Sequence, residues 1–190
     1  MRITFGALLV CLAAVLGVIG YQWQQMQNTP DAYGVPFELV AADGQTITQE
    51  AFIGQPSAIF FGFTHCPEIC PTTIYELDGW LKALGEEGNK INAFFVTVDP
   101  ERDTPEILGD YVASVSDRIV AISGAPEKVR EMVGGFGVYF KRQELEDDDY
   151  TMDHTASIFL LDSQGAFRKT IAWGENPDVA IEKLRDLSKL

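Results

Sequence analysis

The sequence predicts an α/β domain with helices on both sides of a sheet, and three observations carry that expectation. Ala58–Phe63 and Ile91–Val98 are short, rich in β-branched or aromatic residues and apolar on both faces, as strands covered on two sides are. Between them Ile74, Leu77, Leu81 and Leu84 recur at helical spacing, with Trp80 beside them and Gly85 placed to end the helix. Strand, helix and strand therefore follow one another at the spacing of a right-handed crossover.

At 190 residues and 46% hydrophobic content the chain has room for one ordinary domain plus an appendage. Ile3 to Tyr21 carries no charge and at helical rise spans roughly 28 Å, about the hydrocarbon thickness of a bilayer. The expectation is a transmembrane anchor over residues 1–22. A cleaved signal peptide ending near Val18-Ile19-Gly20 is the weaker alternative, because the apolar run outlasts the usual signal core. Cys11 follows branched Val10, where a lipidation site wants a small residue, so it reads as an apolar membrane cysteine. Only Arg2 and the terminal amine precede the helix, which predicts a bacterial inner-membrane protein with its domain in the periplasm. Residues 23–36 are polar and broken by Pro and Gly, as a linker is, and residues 37–190 form the domain. The net charge of −14 argues against nucleic acid and anionic headgroups as partners and suits a basic protein surface or a cation.

Taken in order, Phe37–Val40 and Gln45–Thr48 alternate about Asp43-Gly44, the pattern of a β-hairpin. After the crossover, Asp103 is expected to cap a helix that has Pro105 in its first turn and Glu106 reaching back. Ile119–Ser123 reads as a strand, Pro126–Phe136 as an amphipathic helix and Val138–Lys141 as an extended piece. Glu144–Asp149 is acidic and without periodicity, hence a solvated loop. Ala156–Leu161 and Ala166–Thr170 flank the turn Asp162–Gly165 as a second hairpin. Pro177 opens a last helix with Ile181, Leu184 and Leu187 on one face. This succession predicts a sheet of thioredoxin type with an added amino-terminal β-hairpin.

The chemistry lies where the first buried strand meets its helix. Cys66 and Cys70 are four apart there, beside orphan N–H groups and a helix dipole that favour thiolate over thiol. At that spacing the pair can close as a disulfide, or both sulfurs can bind one soft ion such as Cu(I). Two sulfurs alone leave a metal wanting a third ligand. His65 neighbours Cys66 but points away from it in an extended backbone, whereas His154 stands at the entrance to a strand beside the cysteine strand. Asp153 is placed to orient the His154 ring, and Met152 reads as a packing residue.

Three stretches, Gly62-Phe-Thr-His-Cys-Pro-Glu-Ile-Cys-Pro71, Thr97-Val-Asp-Pro-Glu-Arg-Asp-Thr-Pro105 and Asp153-His-Thr-Ala-Ser157, resemble the signatures of the Sco family of copper chaperones. The resemblance runs from about Phe37 to the end of the chain. It implies a thioredoxin-like domain that binds copper, as Cu(I) or Cu(II), through Cys66, Cys70 and His154. Asp99, Arg102 and Asp103, with Asp153, would then support the site without ligating. The partners implied are the apo copper-site subunit of cytochrome c oxidase and other copper carriers or thiol reductants. Two further readings compete. A periplasmic thiol-disulfide oxidoreductase, or weak peroxidase, would use Cys66 as attacking thiolate, against which stand the three intervening residues and the His-Thr pair where such folds usually place a cis-proline. A purely structural disulfide is poorly explained by so small a loop.

Overall fold

The computed structural model describes residues 15–18, 32–146 and 149–190. Most of the anchor expected over residues 1–22, including Cys11, and residues 23–31 of the expected linker lie outside the described residues. Residues 15–18 are helical, and no helix among the described residues is long and apolar enough to cross a membrane. The remaining linker residues, 32–36, pack on the domain. The Tyr33 hydroxyl donates to the Phe136 carbonyl at 3.1 Å, and its ring meets that of Phe136 edge-on at 5.5 Å. A partner 103 residues away leaves no periodic trace in a stretch this short.

The apolar runs become strands because each buries both faces. Strands β1 (Glu38–Ala41) and β2 (Thr46–Thr48) form the predicted hairpin, and β3 (Ser57–Gly62) is buried throughout. With β4 (Asn92–Thr97) and β5 (Ile119–Ser123), β3 makes the parallel centre of the sheet. Strands β6 (Phe140–Glu144) and β7 (Tyr150–His154) form a separate antiparallel ribbon, and β8 (Ser157–Leu161) and β9 (Phe167–Ala172) form the last hairpin. The main sheet has seven strands in the order β2-β1-β5-β4-β3-β8-β9. Helices α1 (Ile69–Ala83), α2 (Pro105–Ala113), α3 (Pro126–Gly135) and α4 (Pro177–Leu187) cover it. Alternation along β3 assigns the two faces: Phe60 lies against Phe95, which meets Tyr111 of α2, while Phe61 turns the other way onto Phe136 and Phe159.

Two expectations change. The cap of α2 is Thr104, whose hydroxyl accepts from the Ile107 N–H at 3.3 Å; Asp103 is buried instead, drawn inward by donors on neighbouring segments. The expected loop Glu144–Asp149 is shorter than predicted, because β6 continues through Glu144 and returns as β7. Lys141, Arg142, Gln143 and Glu144 offer no apolar alternation, so the ribbon is made by cross-strand pairing and by the packing of Phe140 and Met152 on the core.

Candidate functional site

Strand β3 ends at Gly62, and the chain turns at once, with the Cys66 N–H donating to the Phe63 carbonyl at 3.3 Å. A Cβ on Gly62 would stand 2.8 Å from the Cys70 sulfur and 2.8 Å from the Phe95 ring, so only glycine lets the helix start sit this close to the strand. Helix α1 has no side-chain cap at Glu68. Its orphan Cys70 N–H donates instead to the Cys66 sulfur at 3.3 Å. Cys66 keeps 9% exposure, whereas Cys70 has none, and neither is in a disulfide.

The two thiols differ in acidity because they share one proton. The bond from the Cys70 side chain holds the Cys66 thiol well below its ordinary range, against the penalty of burial, and the N–H groups of Cys70 and Glu68 add to it. The same bond, followed by burial, pushes the Cys70 thiol up. The reduced pair thus carries its charge on the more accessible sulfur and its proton on the enclosed one.

His154 ends β7 and brings its Nε2 to 3.7 Å from the Cys70 sulfur, across 84 residues of sequence. Its Nδ1 lies 3.0 Å from the Thr155 carbonyl, which can only accept, so Nδ1 carries the proton and Nε2 presents a lone pair to the sulfurs. Phe63 and Phe60 meet the ring edge-on. Asp153 does not orient it: successive strand residues face opposite ways, and the Asp153 carboxylate accepts from the Gln143 amide at 2.7 Å. His65 is exposed and bonds to the Thr64 hydroxyl at 3.0 Å, while Met152 packs on the core. Among the described residues no three His, Cys, Asp or Glu side chains already surround a common point as a metal cage does. Cys70 and His154 instead meet each other directly, Cys70 enclosed and His154 at the wall of a cleft of about 520 Å³ that Cys66, Ile69 and Tyr139 also line.

One loop, Asp99–Asp103, holds both sides of this cleft. Asp103 accepts from the Thr64 N–H at 3.1 Å, the Thr64 hydroxyl at 2.5 Å and the Thr97 hydroxyl at 2.7 Å, which ties down the residue two before Cys66. Burial raises its carboxyl pKa, and the donors work against that rise. Asp99 accepts from Arg102 Nε at 2.5 Å and from the Tyr150 hydroxyl at 2.8 Å, which ties down the strand that ends in His154. Thr64 and Thr97 lie inside the quoted motifs but went unassigned, for a hydroxyl carries no local signal of its acceptor. Tyr150 had no sequence signal at all.

The SCO1/SenC family model matches residues 25–189. The chain is 34% identical over 149 residues to the mitochondrial SCO1 homolog 1 of Arabidopsis thaliana, a match that takes in 78% of this chain but 44% of that protein, so the chain spans less than half its length. The copper-bound structure of ScoI from Bradyrhizobium japonicum is 39% identical, with a TM-score of 0.75, over 82% of this chain and 99% of that one. BsSco, in which a disulfide switch was identified, is a member of the Sco family of cytochrome c oxidase assembly proteins. It is 27% identical, with a TM-score of 0.67, over 85% of this chain and 96% of its own. Having the mixed α/β thioredoxin-like fold of these relatives and a family match across nearly all of its described residues, the chain belongs to the SCO1/SenC family.

Proposed function

We propose that this chain is a membrane-anchored metallochaperone that carries copper on Cys66, Cys70 and His154 and delivers it to the dinuclear copper site of cytochrome c oxidase, or prepares the thiols of that site. The observation that carries the reading is the approach of His154 Nε2 to within 3.7 Å of the Cys70 sulfur, with Nδ1 bonded to the Thr155 carbonyl so that the Nε2 lone pair faces the sulfur. Two soft sulfurs suit Cu(I), and an imidazole nitrogen adds the donor that Cu(II) prefers. Copper is cargo here. A relative of known structure, ScoI of Bradyrhizobium japonicum, has copper bound. Asp99, Arg102 and Asp103 support the site by holding its two sides. The uncharged Ile3–Tyr21 run would tether the domain to the inner membrane on its periplasmic side, where the apo-oxidase subunit and other copper carriers or thiol reductants are reached.

A second reading, as thiol-disulfide oxidoreductase, is favoured by the shared proton. The Cys66 thiolate would attack one sulfur of a partner disulfide and release the other as thiolate. Cys70, giving its proton to that leaving thiolate, would then attack the Cys66 sulfur. The partner leaves with one thiol and one thiolate, the latter taking its proton from water, and two electrons have passed from the Cys66–Cys70 pair, which is now a disulfide.

The discriminating experiment is a Cu(II) titration of His154→Ala and His65→Ala, following the thiolate-to-copper charge-transfer absorption. Loss of the band in the first variant and its retention in the second is expected, with Cu(I) binding less affected. The opposite pattern would overturn the ligand set, and indifference of both would favour the thiol enzyme.

A further inference from the structure

Tyr150 stands between two cations. The guanidinium carbons of Arg102 and Arg142 lie 3.7 Å from its ring centroid, and its hydroxyl donates to buried Asp99 at 2.8 Å. Each partner is held in turn. Arg102 donates to Asp99 at 2.5 Å and to the Tyr150 carbonyl at 2.9 Å, and Arg142 grips both oxygens of Glu144, the residue opposite Tyr150 in the ribbon. Burial, then the bond to Asp99, pushes the phenol up to about 12, so the ring stays neutral and its hydroxyl remains a donor. An aromatic face between two guanidiniums is a directional contact, and ring slippage would lose both attractions.

The ribbon is a separate two-stranded unit, so something other than the main sheet must set its place. At its base the Thr155 N–H donates to the Tyr139 carbonyl at 2.9 Å and the Tyr139 N–H to the Thr155 hydroxyl at 3.1 Å. Tyr150, Met152 and His154 share one face of β7, and Tyr150 lies about 13 Å along the strand from His154. Over that length a paired strand transmits a shift of one end to the other. We propose that Tyr150, held by Arg102 and Arg142, is a positioning residue that sets how His154 faces the Cys66–Cys70 pair. The proposal rests on His154 being a donor to copper.

The test uses the full-length protein with Tyr150→Leu, Tyr150→Phe and Arg142→Gln, and two readouts. Nitrogen NMR of the metal-free protein reads the His154 tautomer, and titrations with Cu(II) and Cu(I) read the loaded site. For Tyr150→Leu we expect mixed tautomers at His154 and Cu(II) affinity down by about 10- to 100-fold, the usual effect of losing a group that orients a ligand, with Cu(I) affinity held. Tyr150→Phe keeps the ring between the cations and should fall between that variant and the native protein. A merely structural tyrosine would instead lower the melting temperature and both copper affinities together, which would overturn the proposal. So would a Tyr150→Leu protein with native tautomer and native Cu(II) affinity. If Tyr150→Leu does not fold, Arg142→Gln, which removes one cation from a half-exposed position, decides by the same two readouts. If His154→Ala binds Cu(II) as the native protein does, the donor assignment has failed, yet the tautomer in metal-free Tyr150→Leu still decides whether Tyr150 positions the ring.

Discussion

Replacing Asp103 by alanine should loosen the cysteine loop at a cost that can be worked from its bonds. The carboxylate is fully buried and satisfies three donors: the Thr64 N–H, the Thr64 hydroxyl and the Thr97 hydroxyl. At about 1 kcal/mol net per bond the loss is about 3 kcal/mol. The hydroxyls can rotate toward other acceptors, but the Thr64 N–H cannot, so that share is the hardest to recover. For a domain of this size the loss corresponds to a melting point lower by roughly 6 to 12 °C. Asp103→Asn keeps the shape and one acceptor and should lose about half as much. Thermal unfolding of the reduced full-length protein measures both. Hydrogen exchange at Thr64 and Cys66 should quicken in the alanine variant before global unfolding does, because the bonds lost anchor that turn. An Asp103→Ala protein that melts within about 2 °C of the native one would refute the reasoning, since it would mean that these bonds contribute almost nothing.

Two further outcomes follow from the geometry of the sulfurs. Gly62→Ala places a methyl group 2.8 Å from both the Cys70 sulfur and the Phe95 ring. It should destabilise the domain by about 1 to 3 kcal/mol through overpacking and weaken Cu(II) binding by displacing Cys70 from His154; native unfolding and native titration curves would contradict both. The pH dependence of stability should differ between reduced and oxidised protein. Native Cys66 is ionised down to about 4, whereas the unfolded thiol is protonated below about 8.5. Between those limits the unfolded reduced chain binds more protons, so stability rises with pH; this contribution is complete above the unfolded value and is lost as pH falls through the folded one. Cys70, with its pKa raised, works in the opposite sense above the unfolded value. Denaturation midpoints of the two forms across that range should diverge, and identical slopes would show that the thiols do not share a proton as described.

Much of the fold is legible because burial on both faces and helical periodicity are local properties. Ala58–Phe63, Ile91–Val98 and the Ile74–Leu84 stripe each announce their environment without reference to the rest of the chain, and they place Cys66 and Cys70 at a strand-to-helix junction. The unequal acidity of the thiols was half visible: the helix start is in the sequence, but which sulfur takes the orphan Cys70 N–H is set by the turn. The residues alone favoured His154 over His65, which an extended backbone turns away from Cys66, and the family resemblance implied the same choice. Only the sheet order, which lays β8 beside β3, carries His154 across 84 residues to Cys70 and leaves His65 in solvent. Tyr150 and Tyr33 were missed as anchors, and Asp103 was expected as site support only through the family resemblance, for one reason. Each is defined by a partner 39, 51 or 103 positions distant, and hydrogen bonds over such separations depend on how segments cross in space, which no repeat or spacing along the chain records.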